Sequence, residues 1–159
     1  MLPWYKKRKK KKTDDLFAKA SVKKPVDLTK KLDRVFSAYI RVRDTMPNGC
    51  FRCISCGQIK PFSQGDCGHY YSRVHMATRW EPDNCHMECK GCNRVSADHL
   101  IGYRKNLVSK IGIDGLTRLE YMAHSSKHWL DFELQEKIDY YTKEVKRICH
   151  DKGLQVPKF

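Results

Sequence analysis

Apolar positions divide this chain into a helical beginning, an interrupted middle and a helical end. From Asp27 to Asp44, Leu28, Leu32, Val35, Phe36, Tyr39 and Val42 recur at steps of three and four residues. That spacing predicts one amphipathic helix, occupying about residues 27–46, with Arg34, Arg41 and Arg43 off the stripe or at its margin. Met46-Pro47-Asn48-Gly49 supplies the turn residues that end it. Toward the other end, Leu100, Tyr103, Leu107 and Ile111 predict a short helix stopped by Gly112, and Asp114 caps a second one carrying Leu116, Leu119 and Met122. Ser126 precedes a last helix with the stripe Leu130, Leu134, Ile138, Tyr141, Val145 and Ile148. Such stripes are expected to be core. Residues 50–98 have no comparable period, and seven of the eight cysteines fall there. Short strands and knuckles held by metal are expected in that stretch.

The chain has 159 residues, enough for a single compact unit with tails but not for two comfortable cores. Residues 25–159 are read as one domain: the first helix, a core over 50–98 and a helical part over 99–150. No apolar run approaches the roughly 18 residues of a membrane span, so no membrane partner is expected. Residues 1–12 are lysine-rich and have no apolar secretory core. A cytoplasmic protein with reduced thiols follows as the expectation.

Charge narrows the partner. The net charge is +14, and residues 1–31 hold twelve basic against three acidic residues. Lys6, Lys7, Arg8, Lys9 and Lys10 repel one another and offer nothing to bury, so residues 1–24 read as a disordered basic arm for a phosphate backbone. The remaining 128 residues carry 20 basic and 15 acidic residues. Nucleic acid is the polyanion such a balance suits.

Cys53-Ile54-Ser55-Cys56 and Cys89-Lys90-Gly91-Cys92 are two C-x-x-C knuckles. Each can aim two thiolates at one ion, and together they complete a tetrahedron around a structural zinc with no open position. Cys50 is an alternative ligand in place of Cys56; Cys67, Cys85 and Cys149 read as small buried apolar residues. Between the knuckles lies an insertion longer than a bare zinc ribbon needs. It contains Asp66-Cys67-Gly68-His69, then Asn84, and Asn93 directly follows Cys92. Histidine, asparagine and a further metal-capable residue in that order form the H-N-H layout of strand, loop, strand and helix around one divalent cation.

Phosphodiester hydrolysis needs a base, a cation and a positive clamp. His69 can be neutral near pH 7 and take a proton from water. Asn93 can offer an amide oxygen to magnesium or manganese. Arg73 can clamp a phosphate oxygen, and Asn84 can fix the loop so that His69 is aimed. His86 reads as a strand histidine bonded to backbone, and Tyr70, Tyr71 and Trp80 as packing, with stacking on exposed bases the alternative.

Tyr39-Ile40-Arg41 with Arg43-Asp44, the first knuckle, Gly68-His69-Tyr70 with Ser72-Arg73, Asn84 with His86, Cys89 to Asn93, and Tyr103-Arg104 together resemble the phage NinG/Rap recombination endonucleases, over about residues 28–119. The resemblance implies an α+β fold with a small zinc-stabilised ββα (HNH-like, His-Me finger) core flanked by amphipathic helices. It also implies cleavage of branched DNA such as Holliday junctions and D-loops, in the host-cell cytoplasm if the chain is phage-encoded. Arg41 and Arg104 are expected to touch that DNA along with Arg73 and the arm, and paired cuts at a junction suit a homodimer. Many HNH nucleases carry an acidic residue or histidine just before the catalytic histidine, where this chain has Gly68. On a strand Asp66 shares the face of Gly68, which makes it the nearest substitute as second cation ligand. His99 stands about 240° around a helix from Asn93, so contact with DNA or plain exposure is expected of it.

Overall fold

The computed structural model describes residues 27–159. The basic arm and its Lys6, Lys7, Arg8, Lys9 and Lys10 lie outside the described residues. Helix α1 spans Leu28–Asp44, and the Asp27 carboxylate accepts the Lys30 N–H at 3.1 Å as its N-cap. Two antiparallel pairs follow: β1 (Cys50–Arg52) with β2 (Ile59–Pro61), and β3 (Gly65–His69) with β4 (Cys85–Cys89). A five-residue helix α2 (Lys90–Arg94) leaves β4 directly, and α3 (His99–Ala123) and α4 (Asp131–Lys152) complete the chain. The architecture is therefore α+β, with small antiparallel sheets between helices. Among the described residues, no helix is long and apolar enough to cross a membrane.

The predicted stripes of α1 and α4 face each other. Leu32, Val35, Phe36 and Ile40 of α1 form one cluster with Leu134, Ile138 and Tyr141 of α4, and Cys67, Cys85 and Trp80 close it from the β3–β4 side. Polar ties fix the same contact. Lys152 donates to the carbonyls of Val42, Arg43 and Thr45 at 3.0, 2.7 and 2.6 Å, which satisfies the end of α1. Asp44 pairs with Arg43 and accepts the Met87 N–H at 2.7 Å, while Arg43 donates to the carbonyls of Pro82 and Cys85. One end of α1 is thus fastened to β4.

Gly112 breaks α3 as expected: its φ of 73° and ψ of 173° are not helical, and helix resumes beyond it. The last helix departs from expectation. It begins at Asp131, not just after Ser126, and Leu130 is exposed instead of joining the buried stripe. The cause is local, because the Glu133 carboxylate takes the Leu130 N–H at 2.8 Å and so fixes the first turn there. Trp129, just before it, donates to the Met76 carbonyl at 3.0 Å and packs edge-on against Trp80.

Candidate active site and metal centre

The site grows out of the β3–β4 hairpin. In its register, His69 stands opposite Cys85, Cys67 opposite Met87 and Gly65 opposite Cys89; Asp66 and Gly68 alternate to the other face, opposite Glu88 and His86. The face of His69 is turned toward α1. Fifteen residues of loop join the strands, and that loop sets the histidine.

Asn84, fully buried, fastens the loop at its far end. Its Oδ1 accepts the Tyr71 N–H at 2.8 Å, and its Nδ2 donates to the carbonyls of Tyr71 and Thr78 at 2.9 and 3.0 Å. Its amide oxygen and nitrogen are thus both bonded to backbone of the loop. In mid-loop, Arg79 pairs with Asp33 of α1 through two bonds of 3.0 and 2.6 Å, and Trp80 donates to the same carboxylate at 2.9 Å. This holds the Arg79 carbonyl 3.1 Å from His69 Nε2. A carbonyl can only accept, so Nε2 carries the proton and the lone pair lies on Nδ1. Burial, then the charge of Arg73, pushes His69 down to about 4, against the opposing pull of the Arg79 and Cys67 carbonyls. The imidazole is therefore neutral near pH 7.

Asp66 and Asn93 meet on the opposite face of β3. Asn93 Nδ2 lies 3.3 Å from Asp66 Oδ2, and Arg94 takes both oxygens of the carboxylate at 2.6 and 2.9 Å. Burial opposes ionisation, but the bonds from Arg94 and Asn93 hold the Asp66 carboxyl below its ordinary value. The predicted pair of cation ligands is thus brought together, and His69 is not in contact with it. Arg41 and Arg73 line a groove of about 290 Å³ with Asp33, Arg34 and Lys158. Arg41 feels the Asp66 charge, and Arg73 acts on His69. Arg104 is exposed on α3.

Glu88 is the residue that sequence reasoning missed. It is fully buried. Its Oε1 accepts from Ser55 Oγ and lies 2.7 Å from His99 Nδ1, while Oε2 has no partner and packs against Gly68. His99 is therefore half-buried and in hydrogen-bond contact with Glu88, and not the exposed or DNA-facing residue expected. The available signal was a lone acid in the otherwise apolar run Cys85-His86-Met87-Glu88-Cys89. Gly68 then has a physical reason, since a Cβ there would overlap the Glu88 carboxylate. His86 also differs from expectation: its buried Nδ1 has no hydrogen-bond partner, and burial together with Arg43 pushes it down to about 3. Tyr103, expected on the apolar stripe of its helix, is fully buried and also donates to the carbonyls of Gly68 and Asn84 at 3.1 and 3.3 Å, locking strand to loop. Trp80 is buried in the α1–α4 core, and Tyr70 and Tyr71 pack on the Ile54–Tyr103–Leu107 cluster. Packing is what the aromatics do.

The four knuckle cysteines converge. The Sγ atoms of Cys53, Cys56, Cys89 and Cys92 all lie within 4.8 Å of one another, and Cys56 and Cys89 are 4.0 Å apart. Sulfurs bound tetrahedrally at about 2.3 Å would be separated by about 3.8 Å, so the donor set fits zinc. Cys50 is outside the cluster. Gly57, at φ 72°, closes the first knuckle, and the Cys89 N–H points at Cys53 Sγ at 3.3 Å. Burial and the neighbouring sulfurs push Cys92 far above the ordinary thiol range, which is the repulsion a cation would relieve.

A family model described as "Bacteriophage Lambda NinG protein" matches residues 4–151. Protein NinG of Escherichia phage lambda is 30% identical over 126 residues, covering 78% of this chain and 58% of that protein. Protein NinG of Salmonella phage P22 is 32% identical over 117 residues, 72% of this chain and 54% of its own length. The Escherichia phage 933W protein is 28% identical over 126 residues, 78% and 59%. The chain thus spans somewhat over half the length of these relatives. No solved structure matches. With nearly its whole length matched, the chain belongs to the NinG family of phage proteins.

Proposed function

We propose that the chain is a metal-dependent, structure-selective DNA endonuclease, with His69 as its base and branched DNA as its substrate. The supporting observation is the handling of His69. It ends β3, its Nε2 proton is committed to the Arg79 carbonyl, and a neutral lone pair is left on Nδ1. An imidazole kept for packing alone has no need of a loop fastened at Asn84 and again at Asp33. The order β3, loop, β4, α2, with His69 ending β3, Asn84 just before β4 and Asn93 within α2, is also the order of an HNH-like ββα unit.

In this reading, Nδ1 of His69 accepts the proton of the attacking water. Arg73, already close enough to depress His69, holds a phosphate oxygen, and Arg41 continues the positive track along the groove. Asp66 and Asn93, on the other face of β3 from His69, would hold a divalent cation such as magnesium, which would supply positive charge for bound phosphate on that side. The hard oxygen donors of the two side chains fit such an ion. Arg94 occupies Asp66 through a largely exposed side chain, and an ion pair of that kind opens cheaply.

That same occupation of Asp66 favours one rival, a noncatalytic zinc module that binds nucleic acid. Incubating a labelled four-way junction with magnesium separates the two. The parent should cut, and His69→Ala should lower cutting at least about 100-fold with junction binding retained. A parent that binds and never cuts is the module.

A further inference from the structure

Cys67, His69 and Cys85 form a second cluster that the zinc knuckles do not use. Their ligand atoms all lie within 4.8 Å of one another. The hairpin register produces this grouping. Cys67 and His69 are two residues apart on one face of β3, and Cys85 is the cross-strand partner of His69. Cys85 is fully buried and Cys67 nearly so. The Arg79 carbonyl lies beside two of the three, 3.1 Å from His69 Nε2 and 3.9 Å from Cys85 Sγ.

From this we infer that Cys67, His69 and Cys85 constitute a second soft-metal site, suited to zinc, whose occupation takes the histidine out of service. Two sulfurs and one imidazole nitrogen are three of the four donors of a tetrahedral zinc, and the Arg79 carbonyl or a water completes the set. Binding releases one proton from each thiol. Two thiolates then balance the dication, so the filled site is neutral and compatible with the apolar core around it. A neutral imidazole has a single lone pair. Whichever nitrogen takes the metal, the other keeps the proton, and no base remains.

The inhibitory consequence rests on the endonuclease reading; the site itself does not. Full-length protein is purified under reducing conditions, equilibrated with excess buffered zinc, and its bound metal counted by atomic emission. The parent should hold two equivalents, and Cys67→Ala and Cys85→Ala one each. One equivalent in the parent, or two in both variants, overturns the site. Zinc X-ray absorption on the parent alone guards against variants that fold poorly: a shell mixing sulfur with imidazole is expected, and a shell of sulfur only overturns the site. In the junction assay with magnesium, excess zinc should slow the parent at least about 10-fold more than it slows Cys67→Ala. Equal slowing overturns the action through His69. A parent that never cuts, yet counts two zincs, defeats the endonuclease reading and leaves the site standing.

Discussion

At position 68 the chain has no side chain because its neighbour needs the room. Glu88 turns its carboxylate into the space a Cβ would fill, anchored there by Ser55 and His99. Gly68→Ala forces that carboxylate to shift inside a fully packed site, at a cost of about 1–3 kcal/mol. Thermal unfolding should fall by roughly 3–9 °C for a chain of this length, and an unchanged midpoint would show that Glu88 is free to move. The second prediction at this scale concerns His69. If His69 is the base of the proposed endonuclease it works neutral, so the rate should climb as pH rises through about 4 and then level on that limb. Arg73→Gln removes one cause of the depression. The acid limb should therefore move up toward the ordinary value near 6.5, alongside a lower maximum rate. A pH–rate profile unmoved by the substitution would mean that Arg73 does not act on His69. Among single residues, Asn84 was legible in the sequence because an asparagine closing a loop has few other uses. Glu88 and His99 were not, since their partnership depends on β4 leading into α2 and back toward the start of α3, which no spacing rule reports.

Elements were easier to read than residues wherever a stripe had a partner of matching length. The facing stripes of α1 and α4 are an instance: both follow the helical period and bury what it selects. Period also located the break in α3, although not its form. Gly112 sits at φ 73° and ψ 173° with nothing within 4 Å of a hypothetical Cβ. Gly112→Ala therefore meets no obstacle and suffers only from the backbone, by about 1–3 kcal/mol. A melting midpoint that held or rose would show that the two halves of α3 can merge into one straight helix. The start of α4 was misread for a related reason. Leu130 continues the apolar period past the point where the Glu133 carboxylate closes the turn, and a local hydrogen bond decides the boundary before burial does. In the cysteine-rich middle, spacing alone identified the right four sulfurs, because two knuckles on adjacent hairpins have little choice but to converge.

For the whole molecule, positive charge is unevenly placed. The described body presents a groove with Arg34, Arg41, Arg73 and Lys158 beside the candidate site, while ten of the basic residues fall in residues 1–26. If the groove selects geometry and those ten supply general attraction, the two contributions separate with salt. Each phosphate neutralised on a duplex contributes about −0.9 to the slope of log K against log salt. Deleting residues 1–26 should make that slope shallower by several units and weaken linear duplex and branched junction alike. Arg73→Gln should change it by about one unit and weaken the junction selectively, since shape recognition depends on where phosphates are held and not on how many are. Titrations of both DNAs at three salt concentrations read the two effects directly. A deletion that abolished preference for the junction while leaving the slope intact would move selectivity from the groove to the first 26 residues.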